Sequence, residues 1–478
     1  MTSDGQSIER LREYLLTLTA EARSMLVQEL ERGLLRGDDN AGNELVLQEL
    51  RRAIRTDSQS VPRIGDAARL FFIPLEPYLI DAPADHKRVG RLARMSLEPI
   101  WAWIGRDLIP AEAKALSEDI NRALLADDRN RADQLVRALH DRAIQRMKEA
   151  VAAAGSDDKA RRRLAVQVGT PRALDDLNTI IAVLTLRDVL GDLGRRLPNH
   201  IRAFEGEQID VVKSILDEAA AQPSIENGAV PKADLFLYGL ILVMSRLAAP
   251  WQLIRIASRA ADSDETARIA ETPYAVAVAI VLCEIECMVA DLRAELKAGR
   301  PIVSMLKGIH DAARGLRTEV DLSVDSPWNR QLATMRADIS GLLKTEIDAT
   351  PGHIRRLLRP RPAKEIPAGA VLDAIDVGDA EARVEFVEAC RHYANELAVN
   401  EMTVRAHSEL TLYLETGTKV LLDSLRHAGD ADRPFRQSQV EAAIRFCRIV
   451  FGAEYANLLA KAAEVAAQTV VERKAIRA

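Results

Sequence analysis

The sequence predicts an all-α protein, a multi-helix bundle or hairpin stack with a separate C-terminal helical bundle, and three observations carry that reading. Aromatic residues make up only 4% of the chain and β-branched runs are scarce, while Leu, Ala, Arg and Glu, which lose least on entering a helix, dominate. Apolar residues recur at three- and four-residue spacings along most of the 478 residues. The breaks between those periodic stretches carry Pro198, Pro223, Gly228, Pro231, Pro273, Pro301 and Pro327, as punctuation between helices does.

The first periodic stretch places Ile8, Leu11, Leu15 and Leu18 on one stripe. Thr19 is a fitting N-cap for a second helix, with Glu21 in the first turn where negative charge suits the helix dipole. The cluster Gly37-Asp38-Asp39-Asn40 breaks the chain before a third helix over 44–55. A similar passage returns further on: Leu34-Leu35 matches Leu124-Leu125, Leu45-Val46 matches Leu135-Val136, and Arg52-Ala53-Ile54 matches Arg142-Ala143-Ile144. Segments 19–55 and 110–145 therefore read as a duplicated helical hairpin, although a chain this rich in Leu, Ala and Arg also matches itself by chance. Between them, the prolines of 71–79 interrupt any continuous helix. Asp85 and Ser96 are read as N-caps, the first opening a short helix over 86–94, the second a helix that contains Trp101 and Trp103, and Pro110 marks another start.

Four segments follow from these breaks. An N-terminal helical unit spans 1–155 and closes at the Gly155-Ser156-Asp157-Asp158 linker; a central all-α core spans 160–350. A basic, proline-rich linker occupies 351–369, and a four-helix bundle occupies 370–478. In its last helix Ala456, Ala460, Ala463 and Ala467 form a stripe that permits close helix approach.

Charge and cysteine usage bound the function. The 65 basic and 71 acidic residues are interspersed, leaving a net charge of -6 and no domain-wide basic field, so nucleic acid is not the expected partner. Arginine outnumbers lysine 52 to 13, which reads first as a GC-rich, bacterial coding sequence. Cys283, Cys287, Cys390 and Cys447 all lie in apolar helical stretches and form no secreted-protein framework, which fits a reducing compartment. The opening residues lack the basic and apolar regions of a signal peptide, and the expectation is a cytoplasmic protein. Of the two most apolar stretches, 235–244 is too short to cross a bilayer and 275–290 carries Glu284 and Glu286; both read as core helices.

Phosphate-binding Gly-rich loops, nucleophile elbows, kinase signatures, zinc-protease motifs and calcium loops are all missing from the sequence, so no catalytic residue, metal site or cofactor is nominated. Four local constellations remain. On a helix over 86–94, Lys87, Arg91 and Arg94 share a face with Arg88 beside them, a pattern suited to bidentate anion or partner binding, with Trp101 and Trp103 as apolar anchors. The plainer reading is a solvated helix face above core tryptophans. The segment 353–364 holds Arg355, Arg356 and Arg359 without an acid among them and could meet an anionic surface, or simply keep a linker soluble. Cys283 and Cys287 share a helical face but have only Val, Ile and Leu around them, so they read as structural. Glu388, His392 and Glu396 share another face, with His407 on the next helix, but the spacing departs from the Glu-x-x-His of di-iron bundles and has no second copy.

These features lead to a non-catalytic intracellular interaction protein, an adaptor, scaffold or regulatory partner, with a protein partner and self-association both open. Two other readings compete with it. One is an enzyme whose pocket lies between core helices, and the other is a peripheral binder of anionic lipid or nucleic acid through 353–364.

Overall fold

A computed structural model of the chain describes residues 66–81, 88–170, 172–222, 225 and 231–475, with scattered positions between 15 and 50; side chains are described as far as Ala467. The chain is all-α: helices follow one another almost without interruption, and the sheet among the described residues is a two-residue parallel pair. No helix among them is long and apolar enough to cross a membrane. Two compact units form, one from residues 1–283 with 319–321, the other from 284–318 with 322–478.

The first unit contains α1 (Asp66–Phe72), a 3-10 segment (Ile73–Tyr78), β1 (Leu79–Ile80), β2 (Leu92–Ala93), α2 (Leu97–Trp103), a π-helical turn (Ile104–Leu108), α3 (Pro110–Leu125) and α4 (Arg129–Ser156). It continues through α5 (Asp158–Val168), α6 (Ala173–Thr185), α7 (Arg187–Arg196), α8 (Glu207–Ala220), α9 (Lys232–Arg246), α10 (Ile254–Ala261), α11 (Thr266–Ala270) and the start of α12 (Val276–Lys297). Its core includes α9, where Leu235, Phe236, Tyr238 and every residue from Leu240 to Met244 are buried. That explains the unbroken apolar run in the sequence: a helix surrounded by neighbours needs no polar face. Pro110 occupies the first turn of α3, where its missing N–H is not needed. Asp128 and Asp157 cap α4 and α5 by accepting from backbone N–H groups of the first turn. The 155–158 segment is thus a single extended residue between two helices. Of the first predicted helices, Leu15, Val27, Leu47 and Leu50 are buried together with Leu18, Leu30 and Val46 packed on them. The hairpin over 19–55 otherwise lies outside the described residues.

The second unit holds the rest of α12, α13 (Val303–Glu319) up to Thr318, α14 (Pro327–Leu357), α15 (Ala374–His392), α16 (Ala394–Leu397), α17 (Asn400–Arg426), α18 (Arg433–Phe451) and α19 (Ala453–Ala475). Helices α14, α15, α17, α18 and α19 pack against one another, with α17 touching each of the other four. Their inward stripes are Ile339, Leu343, Ile347 and Ile354 on α14, Leu410, Leu414 and Leu421 on α17, and Ala442, Ala443 and Phe446 on α18.

Three local expectations change. Of the helix expected over 86–94, residues 86 and 87 lie outside the described residues, and 88–94 are not helical: 88–91 form a turn, β2 pairs with β1 in the register Leu79↔Leu92, and Arg94–Ser96 is a 3-10 turn. Gly90 decides this, since its φ of +63° lies in the left-handed region that interrupts a helix. Ser96 makes no cap hydrogen bond, and its hydroxyl is buried instead. The helix expected to end near 349 continues through Pro351 to Leu357, because Ile347, Pro351 and Ile354 are buried among its neighbours and their packing outweighs the lost backbone bond.

Gly90 also sits close under α9: a Cβ there would lie 2.4 Å from Ile241 Cδ1. Gly90→Ala is expected to cost about 1–3 kcal/mol through strained φ and overpacking, read as a lower urea midpoint with an unchanged slope.

Candidate interaction surface

The arginines singled out in the sequence divide by what holds them. Arg94 donates from Nε to Asp81 Oδ1 at 3.2 Å and from Nη1 and Nη2 to Glu76 at 3.2 and 3.0 Å. Parallel pairing of β1 with β2 brings these acids to it, and three of its five donors are thereby committed within the chain. Arg88 and Arg91 are half-buried, and Lys87 lies outside the described residues. The tryptophans do not join them at a surface. Trp103 is buried in the core, and Trp101 packs its ring against Phe71 and Phe72 at 5.5 and 6.1 Å. Trp103 thus packs in the core, while Trp101 stays half-buried against Phe71 and Phe72.

Arg355, Arg356 and Arg359 are exposed at the end of α14. Arg355 is paired with Glu409 of α17 at 2.8 Å. Beyond the helix the backbone is tied to the start of α18: Gln439 donates to Arg359 O at 3.1 Å, and the Arg361 guanidinium lies 5.3 Å from the centre of the Phe435 ring. Arg356, Arg359, Arg361 and Lys364 nonetheless keep their side chains exposed.

The acid and histidine set on α15 and α16 is drawn apart. Glu388 Oε1 lies 2.9 Å from His407 Nε2 on α17. Glu396 is buried, with both carboxylate oxygens 3.0–3.1 Å from Arg317 Nη1, while Arg336 donates to the Glu396 and Asn395 carbonyls. His392 stands edge-on to the Tyr393 ring at 4.8 Å, and no group of three or more His, Cys, Asp or Glu among the described residues is arranged to hold a metal. All four cysteines are buried free thiols; burial pushes Cys390 up and Cys447 up to about 12, so both stay protonated. A cavity lined by Leu421, Val440, Ala443 and Leu459 encloses about 10 Å³, less than a substrate needs.

Among the described residues, Asp176 and His140 are buried ionisable groups that the sequence reading passed over. Burial raises the Asp176 carboxyl above the usual range, with the flanking hydroxyls of Thr170 and Ser96 pulling it back; Ser96 Oγ, Thr170 Oγ1 and Asp176 Oδ2 make no aligned hydrogen bond. His140 Nε2 donates to Phe71 O at 2.8 Å, and burial lowers the ring's pKa from 6.5 to about 4. An aspartate or histidine on an otherwise apolar helical stripe was the available signal, since such a residue faces inward by its spacing.

Exposed aliphatic side chains occur at several places among the described residues, Val404, Leu412 and Val420 on α17 among them, and one flank of α19 carries two. Ala456 and Ala466 point into the bundle and are fully buried, and Tyr455 is half-buried near Glu415 and Thr418 of α17. Next to that buried face, at spacings of three and four, come Leu458, Ala462 and Val465; Leu458 is 66% and Val465 59% exposed. Glu454 and Lys461 are exposed on the outer border of this stripe. The spacing was readable in the sequence, but only the packing of α19 shows which of its two apolar stripes is turned outward.

His140 makes folding acid-sensitive. Its folded pKa lies below the unfolded value, so its contribution is present above pH 6.5 and is lost as the pH falls towards 4. Between pH 7 and 5 the protein is expected to lose about 2 kcal/mol more unfolding free energy than His140→Phe. Parallel stability profiles for the two proteins would contradict this assignment. Comparison with protein-family models, with curated proteins and with solved structures finds no match to this chain.

Proposed function

We propose that this chain is a non-catalytic helical interaction protein that docks a protein partner on the outer flank of α19. The observation that carries the reading is the exposed pair Leu458 and Val465, set on one stripe beside the buried face of the helix. A solvent-facing leucine alone is ordinary, but aliphatic side chains at helical spacing, continuous with a packed face and bordered by charge, are what helix-to-helix recognition uses. The polar groups that sequence spacing offered for chemistry are instead engaged within the chain, as Arg94, Glu396 and Glu388 illustrate. Four free cysteines support an intracellular, reducing location.

Affinity purification of the full chain from its native cell is expected to recover a stoichiometric partner, a second copy included. Leu458→Asp combined with Val465→Asp should abolish that association while leaving the far-ultraviolet dichroism unchanged. Turnover of a small molecule by the pure protein would overturn the reading.

A second reading, peripheral contact with an anionic lipid surface, is favoured by the exposed Arg356, Arg359, Arg361 and Lys364 at the end of α14. Sedimentation with phosphatidylserine vesicles tests it: Arg356→Ala with Arg359→Ala should weaken binding about tenfold or more, and added salt should weaken the native protein likewise. Equal sedimentation of both proteins at low salt would dismiss this second reading.

A further inference from the structure

We infer that Asp176, Ser96 and Thr170 form a proton-held latch: the protonated carboxyl pins the segment joining α5 to α6 against the start of α2, and loss of that proton to water releases it. The three residues lie on different pieces of chain. Ser96 sits in the turn that opens α2, Thr170 follows the left-handed Gly169 that ends α5, and Asp176 stands in the first turn of α6. All are more than nine-tenths buried, at 1%, 4% and 5% exposure respectively. Ser96 Oγ, Thr170 Oγ1 and Asp176 Oδ2 are shielded from water, and none has an aligned hydrogen bond. A negative charge among these oxygens is costly unless a cation answers it. Arg172 acts on Asp176 from the same turn, but its guanidinium is engaged by Asp175. The neutral acid needs no cation, and each of the three side chains then carries an O–H donor for its neighbours.

The surrounding elements do not supply the missing charge. Burial is the largest influence on the Asp176 carboxyl and raises it above the ordinary range; Thr170, Ser96 and Arg172 pull it down, and Asp175 pushes it up. On the other elements packed against α6, Glu76 of the 3-10 segment is held by Arg94, His140 of α4 by the Phe71 carbonyl, and Arg187 of α7 by Asp141. On α2 and α5, Glu98 and Arg161, Arg162 and Arg163 face solvent. The connector is the piece that yields. Gly169 has a φ of +76°, and a Cβ on it would lie 3.6 Å from Pro99 Cβ, so the connector rests on the first turn of α2. Helix α6 is anchored in the core by Leu177, Ile180 and Leu184, so an ionised Asp176 gains hydration by displacing the connector rather than the helix. The folded-state pKa is the raised one, so the latch is fully closed below the carboxyl's unfolded pKa and opens as the pH rises through the folded one.

Infrared spectroscopy combined with amide hydrogen exchange on the full chain tests the latch. At about pH 6, where ordinary carboxyls are ionised, the native protein should show a protonated-carboxyl band that Asp176→Asn lacks. Raising the pH should remove that band. With the same midpoint, and after correction for the intrinsic rate, exchange should quicken across 169–176, where the Asp176 N–H donates to Arg172 O at 2.9 Å. Asp176→Asn should show no such step. Ser96→Ala with Thr170→Val removes the hydroxyls that favour the ionised form, so band and step should both move to higher pH. A merely structural role for the hydroxyls would leave the midpoint in place, and this readout decides the matter should Asp176→Asn fail to fold. No band difference between the native protein and Asp176→Asn overturns the proposal. So does a band whose loss leaves exchange unchanged, or a midpoint that the hydroxyl variant does not shift.

Discussion

Mutual burial of helical stripes is the interaction on which the rest of this structure depends. It is evident in α9, whose residues from Leu240 to Met244 are all buried and which therefore fixes what surrounds it. Gly90 must be a glycine because Ile241 of that helix lies where a side chain would go, and Gly239 leaves room for Leu216 in the same way. In the second unit the same role falls to α17, which packs against each of α14, α15, α18 and α19. A close-packed interior of this kind leaves side chains little freedom to repack, so single positions carry steric information out of proportion to their chemistry.

Burial on this scale obliges the chain to satisfy its own polar groups. Most of its arginines seen in contact do so with acids or carbonyls distant in sequence. Arg94 meets Glu76 and Asp81 across a short parallel pair, Arg317 meets Glu396, and Arg255 is held by Glu319, Glu205 and the Phe204 carbonyl. Each pair at the surface is worth little by itself. Their common effect is positional: they fix where helices and loops meet. Asp176, Ser96 and Thr170 are one exception among the described residues, a buried polar group assembled without aligned bonds, and the raised pKa of Asp176 follows from its burial.

The outward surfaces rest on the same packing. The end of α14 carries exposed arginines on a backbone fastened to α18 through Gln439 and Phe435, so a segment that looks like a tether in composition is a positioned ledge. The flank of α19 combines exposed Leu458 and Val465 with charges of both signs.

By itself the sequence determined the helical class, the breaks at several of its prolines, the core character of 235–244 and the burial of its cysteines. All of these are local properties, because the period of a helix and the cost of a proline are felt within one or two turns. Tertiary structure alone decided that 88–94 is a turn and strand, that Trp103 is buried with Trp101 packed on Phe71 and Phe72, and that α14 runs through Pro351. It also chose the partners of the arginines, such as Arg317 with Glu396, 79 residues away. The physical reason is that periodicity specifies which residues share a face, whereas the neighbour on that face is set by how helices distant in sequence pack.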